Sequence, residues 1–234
     1  MENLVLPTPE FSLNLPIAGK TVKYRPFLVR EEKLMLVLKE AKDTAMVLEN
    51  LKKIMQRCVL CDTSVADLTY SDFEYLFLNM RVRSIGESID IEVSCESCGK
   101  RTPVEIDLNK ICEEMESAKI PTKEIMLTND IGVIIKPLEL KYAGVAASLS
   151  EKDQMKMVAL FIDKVYTKDQ VFTFHEMSGQ QQSDFIDSLS LKHMSQIMDK
   201  VQEFPNLKTK VKYTCTHCGH ESEFVVEGLE NFFT

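Results

Sequence analysis

Alternating apolar and polar positions mark the first structured part of the chain. Phe11–Leu15 and Thr21–Arg25 each alternate with a period of two, and Ala18-Gly19 lies between them. This alternation is typical of half-buried strands, and glycine suits the tight turn that joins two of them. The pattern predicts a β-hairpin that follows an N-terminal tail of residues 1–10.

The next segment has the period of an amphipathic helix. Apolar residues recur at intervals of three and four, while charged residues fall on the other sides of the helix. The apolar positions are Leu34, Val37, Leu38, Ala41, Ala45, Leu48, Leu51, Ile54 and Met55. They predict one long helix. A shorter helix is predicted to start near Ser71, because Ser71 and Glu74 have the spacing of a capping box, and to end at or just before Gly86.

Two Cys-x-x-Cys-Gly motifs, which we call knuckles, lie far apart in the chain. The first begins at Cys95 and the second at Cys215. Ser88–Ser94 and Val104–Leu108 alternate on either side of the first knuckle. A strand, a knuckle and a second strand form half of a zinc ribbon.

The order of these features recurs along the chain. Three landmarks of the first part have counterparts in the second part, at offsets of 111, 112 and 120 residues. The matched pairs are Val22–Pro26 with Val133–Pro137, Ser71–Phe73 with Ser183–Phe185, and the first knuckle with the second. An insertion around residues 191–205 accounts for the longer final offset.

These matches predict an α+β fold made of two duplicated halves. The first repeat covers residues 11–118 and contains knuckle 95–98. The second covers residues 119–234 and contains knuckle 215–218. Each half would consist of a hairpin, helices and a zinc-ribbon-like knuckle. We expect the halves to pack about a pseudo-twofold axis as one compact unit.

The knuckles are the strongest chemical signal in the sequence. Zinc favours four ligands in a tetrahedron, and one Cys-x-x-Cys turn supplies only two of them. We therefore expect one structural zinc ion per chain, held by Cys95, Cys98, Cys215 and Cys218. Closing the long intervening loop costs a few kcal/mol, whereas structural zinc sites bind with about 10–16 kcal/mol.

Other uses of the same cysteines remain open at this stage. A rubredoxin-like iron site would have the same four ligands, and a redox dithiol or metal-free knuckles are further alternatives. His217 and His220 are interpreted as exposed groups or as groups that contact the ligands. The remaining thiols, Cys58, Cys61 and Cys112, are interpreted as packed side chains.

Composition narrows the classes of function. The formal net charge is −8, from 36 acidic and 28 basic residues, and no Lys/Arg-rich run interrupts this balance. Nucleic acid is therefore not an expected partner. No stretch approaches the roughly 18 consecutive apolar residues of a membrane-spanning helix, and the first residues lack the positive charge of a signal peptide. Seven cysteines, an odd number, suit a reducing cytoplasm.

Signals of an enzyme are weak. The chain has no phosphate-binding loop, no Gly-rich dinucleotide turn and no hydrolase or metalloprotease motif. His175-Glu176 is interpreted as part of a solvated loop. Four thiolates would also leave a metal ion no open position for water or substrate. We expect a non-enzymatic protein without catalytic residues, a bound organic cofactor or a small-molecule substrate.

The whole chain resembles the baseplate hub subunit and hub assembly family of T4-like contractile-tailed bacteriophages. The resemblance rests on Gly19–Leu34, on Phe73–Glu87 and on the two knuckles. It implies a protein that helps to build the central hub of the tail baseplate through contacts with other hub proteins. It also implies the host cytoplasm as the place of assembly, with the virion tail baseplate as a second location.

Two other functions are compatible with four metal-binding cysteines. One is a zinc-containing accessory factor of phage transcription or replication, which a basic face would support. The other is an electron carrier with rubredoxin-like iron. A separate expectation concerns the apolar chain ends, where Leu4, Val5 and Leu6, and Leu229, Phe232 and Phe233, should dock on this chain or on a partner.

Overall fold

The chain is described by a computed structural model that covers residues 6–41 and 43–229. Its fold combines eight α-helices with small antiparallel sheets within those residues. The first part of the chain contains β1 (Phe11–Asn14), β2 (Thr21–Tyr24), α1 (Val29–Lys39), α2 (Thr44–Gln56), α3 (Tyr70–Ser84), β3 (Ser88–Ser94), β4 (Arg101–Asp107) and α4 (Leu108–Ser117). The second part contains β5 (Glu124–Met126), β6 (Ile131–Ile135), α5 (Ala143–Ser148), α6 (Gln154–Phe161), β7 (Ile162–Thr167), β8 (Val171–Thr173), α7 (Gly179–Asp187), α8 (Leu191–Val201), β9 (Lys208–Thr214) and β10 (Glu221–Glu227).

The strands form four separate antiparallel sheets. The pairs β1–β2, β3–β4 and β9–β10 are two-stranded hairpins, and β5–β6–β7–β8 form a four-stranded sheet. The mixture of α-helices and β-strands that the sequence predicted is therefore confirmed. The hairpin predicted between residues 11 and 25 is confirmed as β1–β2.

Contacts divide the described residues into two compact units. The first unit takes the residues up to 65, 72–117 and those from 206 onward, and the second takes 66–71 and 118–205. Neither unit coincides with a predicted repeat. Both knuckles belong to the first unit, because the β9–β10 hairpin is grouped with the N-terminal part of the chain rather than with the segment that precedes it.

Most of helix α3, from residue 72 onward, belongs to the first unit. Its apolar residues Phe73, Leu76, Phe77 and Met80 are all fully buried, as their helical spacing predicts. The helix predicted to start near Ser71 begins at Tyr70, so this start is confirmed. Glu74 accepts a hydrogen bond of 2.9 Å from the backbone N–H of Leu207. The carboxylate thus binds the segment that leads into β9.

The predicted long helix is two helices. Helix α1 ends at Lys39, and α2 begins at Thr44 after Asp43, whose side chain accepts a hydrogen bond from the N–H of Met46. A capping side chain satisfies the free amides of a helix start, and it therefore favours a new helix at this point. The three- and four-residue spacing of the apolar residues does not by itself reveal such a break.

The buried side of α1 also differs from the prediction. A salt bridge between Arg25 and Glu31, 3.1 Å long and almost fully buried, orients the helix. Burial raises the pKa of Glu31, but hydrogen bonds from Arg25 and Arg30 outweigh this effect and leave its pKa below the usual value. Because Glu31 faces inward, Leu34 and Val37 are 42% and 70% exposed.

The turn between β1 and β2 is held by a carboxylate. The N–H of Leu15 donates to the carbonyl of Lys20, and Gly19, with φ of 61°, donates to the carbonyl of Leu15. The N–H groups of Ile17 and Ala18 donate to the two oxygens of Asp72, at 2.9 and 3.0 Å. Asp72 is fully buried. It thereby joins the first hairpin to the start of α3.

We expect Asp72→Ala to lower the free energy of unfolding by about 3 kcal/mol, because it removes two charge-assisted hydrogen bonds and leaves two amides unsatisfied. Urea unfolding followed by circular dichroism measures this change. Asp90→Ala, at an exposed position on β3, is the matched control and should change stability by less than about 0.5 kcal/mol. Equal effects of the two substitutions would contradict the role given to Asp72.

Candidate metal centre

Two hairpins of identical length carry the four knuckle cysteines. The bounds of β3 and β4 recur in β9 and β10 exactly 120 residues later. The predicted strand Ser88–Ser94 is confirmed. Strand β4 begins at Arg101 rather than at Val104, because Arg101 pairs directly with Ser94 across the hairpin. Each knuckle therefore occupies the six-residue connection of its hairpin.

The two connections have the same backbone hydrogen bonds. Cys95 donates its N–H to Lys100, and Gly99, at φ of 69°, donates to Cys95. Cys215 and Gly219, at φ of 73°, repeat both bonds in the second knuckle. Glycine is required because a side chain strains a backbone in this left-handed region. The same turn occurs between β1 and β2, where no cysteine is present.

The four thiols lie close together. Their sulfur atoms are all within 4.8 Å of one another. Cys95 lies 3.7 Å from Cys218, and Cys98 lies 3.7 Å from Cys215. A tetrahedral ion with metal–sulfur bonds of about 2.3 Å separates its ligand sulfurs by roughly 3.8 Å, whereas a disulfide needs about 2.05 Å. The spacing therefore fits four separate ligands around one ion.

The cluster is partly open to solvent. Cys95 and Cys215, the first cysteines of their knuckles, are each 2% exposed, whereas Cys98 and Cys218 are exposed. The first cysteine of each knuckle contacts the second cysteine of the other. A local twofold axis between the knuckles requires such reciprocal contacts.

Hydrogen bonds distinguish Cys215 from the other three thiols. Thr102 donates its hydroxyl to the sulfur of Cys215 at 3.3 Å, and the N–H of His217 approaches the same sulfur at 3.4 Å. The bond from Thr102 is the main cause that lowers the pKa of Cys215 to about 5. Cys215 is thus prepared to act as a thiolate, the form in which cysteine binds metals.

The pKa of Cys218 moves in the opposite direction. A backbone hydrogen bond at His220 lowers it, but desolvation and hydrogen bonds with the neighbouring thiols outweigh that bond and raise the pKa to about 11. Four adjacent thiols resist full ionisation because their negative charges repel. A bound divalent cation removes this penalty, and the donor set of four sulfurs is one that zinc and iron accept.

Thr102 is a side chain in contact with the thiol cluster that the sequence did not reveal. It is fully buried and lies on β4, four positions after Cys98. The corresponding residue of the second hairpin, Ser222, lies opposite Tyr213 in the β9–β10 pairing. Only the pairing of the two knuckles in space brings Thr102 to Cys215, so no motif could have identified it.

The other candidate residues lie outside the cluster. Burial raises the pKa of Cys58 to about 11 and that of Cys112 to about 12, so both remain neutral thiols. Cys61 is half-buried, and its sulfur contacts Thr63 rather than another thiol. His217 and His220 are exposed. His217 contacts the backbone carbonyl of Arg101 through its ring nitrogen at 3.2 Å.

Within the described residues, no helix combines the length and the apolar character needed to cross a bilayer.

The fold and the cluster define an α+β protein with two cysteine-knuckle hairpins that share one four-thiol centre. The family of the T4 bacteriophage base plate protein matches residues 8–234, and the chain belongs to this family. It is 21% identical over 225 residues to the baseplate hub assembly protein gp26 of Enterobacteria phage T4. The match covers 96% of this chain and 98% of that protein. No solved structure matches the chain significantly. The resemblance inferred from the sequence is confirmed.

We expect Thr102→Val to weaken metal binding about tenfold, because hydrogen bonds to ligand atoms orient and tune them. Competition with a chromophoric chelator measures the change. Thr214→Val is the control, because this exposed residue precedes Cys215 but makes no described contact with a sulfur. An unchanged affinity in Thr102→Val would show that this hydrogen bond is dispensable for binding.

Proposed function

We propose that this protein acts in the assembly of the phage tail baseplate hub, through contacts with other baseplate hub proteins and without catalysis. The observation that carries the proposal is the family match over nearly the whole chain, together with the full-length similarity to a hub assembly protein. Because the similarity covers 96% of this chain and 98% of that protein, the proposal concerns the complete fold rather than one motif.

The metal centre has a structural role in this proposal. Cys95, Cys98, Cys215 and Cys218 hold one zinc ion that joins the β3–β4 and β9–β10 hairpins. Their spacing supports tetrahedral coordination, and four sulfur ligands leave no site for a substrate. The ion therefore stabilises the fold, and it takes no part in a reaction. A zinc-containing transcription or replication factor is less well supported, because the family is one of baseplate proteins.

The proposal also includes a duplicated origin for the two halves, residues 11–118 and 119–234. After α2 the chain returns to β2, where Arg25 donates its N–H to Cys58. After α6 it returns to β6, where Lys136 donates its N–H to Phe161 in the same way. Both returns follow a hairpin and two helices. The first precedes one helix, α3, and a knuckle hairpin, whereas the second precedes two helices, α7 and α8, and a knuckle hairpin.

One of the three sequence landmarks needs a different alignment. Short 3₁₀ turns begin at Val65 and Phe174, and the helices that follow begin at Tyr70 and Gly179, which gives an offset of 109 residues in both cases. The match of Ser71–Phe73 with Ser183–Phe185 has an offset of 112, so it is displaced by about one helical turn. The order of elements supports duplication better than that short match does.

We expect the purified protein to contain one zinc ion per chain by elemental analysis. Cys98→Ser should lose the ion, because three remaining thiols bind zinc far less tightly. Cys61→Ser should retain it, because Cys61 lies outside the cluster. A ratio near two, or near zero in protein prepared without chelators, would contradict the shared site. Iron in place of zinc would be recognised by a red colour and visible absorbance.

We expect phage that lack this protein to accumulate tails without an assembled hub, and the wild-type gene supplied in trans to restore them. Electron microscopy and the protein content of purified baseplates measure the effect. The purified chain should also co-elute with at least one hub protein of the same phage. Normal baseplates in its absence would exclude a role in hub assembly, even if the zinc site proved correct.

The predicted role of the chain ends is tested only in part. Leu229 is buried and Leu6 is 88% exposed. Leu4, Val5, Phe232 and Phe233 lie outside the described residues. Docking of these apolar ends on a hub protein remains a prediction.

A further inference from the structure

Helix α1 exposes apolar side chains that no other residue in the described ranges 6–41 and 43–229 covers. Its inward side buries Glu31, Met35 and Leu38. On its outward side Leu36 is 58% exposed and Val37 is 70% exposed. Adjacent apolar side chains with this exposure on one helix side form a candidate contact surface.

Charged residues flank this apolar pair in a particular order. Lys33 lies one turn before Leu36, and Glu40, the C-terminal capping residue, lies one turn after it. Both are exposed, and neither has an ion-pair partner among the residues that the structure describes. We call Lys33, Leu36, Val37 and Glu40 the α1 face. The face carries its positive charge at one end and its negative charge at the other.

We propose that the α1 face binds the α1 face of a second copy of this chain, with the two helices antiparallel. A twofold axis between positions 36 and 37 places Lys33 of each copy opposite Glu40 of the other. Leu36 of each copy then meets Val37 of the other at the centre. An isologous contact requires such a self-complementary surface, and both charge pairs and both apolar pairs satisfy it simultaneously.

The distances along the helix are compatible with this pairing. Positions 33 and 40 are separated by about 10.5 Å at 1.5 Å per residue, so both ion pairs fit within two turns. Exposed ion pairs contribute little affinity, but they select the antiparallel orientation. The apolar centre supplies most of the stabilisation. Because two helix faces bury less than a standard interface of about 800 Å² per partner, we expect a dissociation constant on the order of 10 µM.

Sedimentation velocity of the full chain over roughly 1–200 µM tests the proposal, because this range spans the expected dissociation constant. The wild-type protein should convert from monomer to dimer as the concentration rises. Leu36→Asp should remain monomeric throughout. Leu191→Asp is the matched control, because Leu191 on α8 is 82% exposed and lies outside the α1 face. Circular dichroism should show that both variants keep the wild-type fold.

Charge exchange makes the test specific for the proposed register. Lys33→Glu and Glu40→Lys should each weaken the dimer about tenfold, because each variant places like charges together twice. The double variant should recover the wild-type dissociation constant within about twofold. Failure of the double variant to recover would overturn the antiparallel pairing.

Cross-linking provides a second measurement that does not depend on a substitution. In a mixture of ¹⁴N- and ¹⁵N-labelled chains, a carbodiimide should join Lys33 of one copy to Glu40 of the other, and mass spectrometry should find mixed-isotope peptides. A protein that stays monomeric at the highest concentration would overturn the proposal, as would a dimer that Leu36→Asp does not affect. Binding of a hub protein to the α1 face of a strictly monomeric chain would also overturn it.

Discussion

The closeness of four thiols from two distant hairpins is the constraint on which the first compact unit depends. Cys98 and Cys215 are 117 positions apart in the sequence, yet their sulfur atoms are 3.7 Å apart. Such closeness is unfavourable for thiolates without a cation, because their charges repel. The same closeness explains why the C-terminal hairpin belongs to the first unit, although the segment immediately before it belongs to the second.

One turn geometry serves two kinds of anion in this unit. In the second knuckle, the N–H of His217 points at the sulfur of Cys215. In the β1–β2 turn, the equivalent N–H of Ile17 binds the carboxylate of Asp72. In each case a glycine with positive φ closes the turn. The backbone N–H groups of the turn then point toward the same anion. A concave set of amides binds negative charge, whether the charge comes from a thiolate or from a carboxylate.

Buried polar groups connect the elements that apolar packing brings together. Asp72 and Glu74, both at the start of α3, bind the first hairpin and the segment before β9 respectively. Arg25 and Glu31 fix the orientation of α1. Buried carboxylates are costly unless they are hydrogen-bonded, so each of them specifies one partner. Because Glu31 must face inward to reach Arg25, Leu36 and Val37 lie on the solvent side of the helix, where they form part of the α1 face.

Local patterns in the sequence determined the hairpins, the buried residues of α3, the knuckles and the family. Period-two alternation and the Cys-x-x-Cys-Gly motif depend on neighbouring residues, and neighbours suffice to define a strand or a tight turn. The tertiary structure alone decided the inward side of α1, the partner of Glu74 and the contact of Thr102 with Cys215. Each of these depends on which distant group lies opposite a side chain. The spacing of apolar and polar residues along the chain carries no information about such contacts.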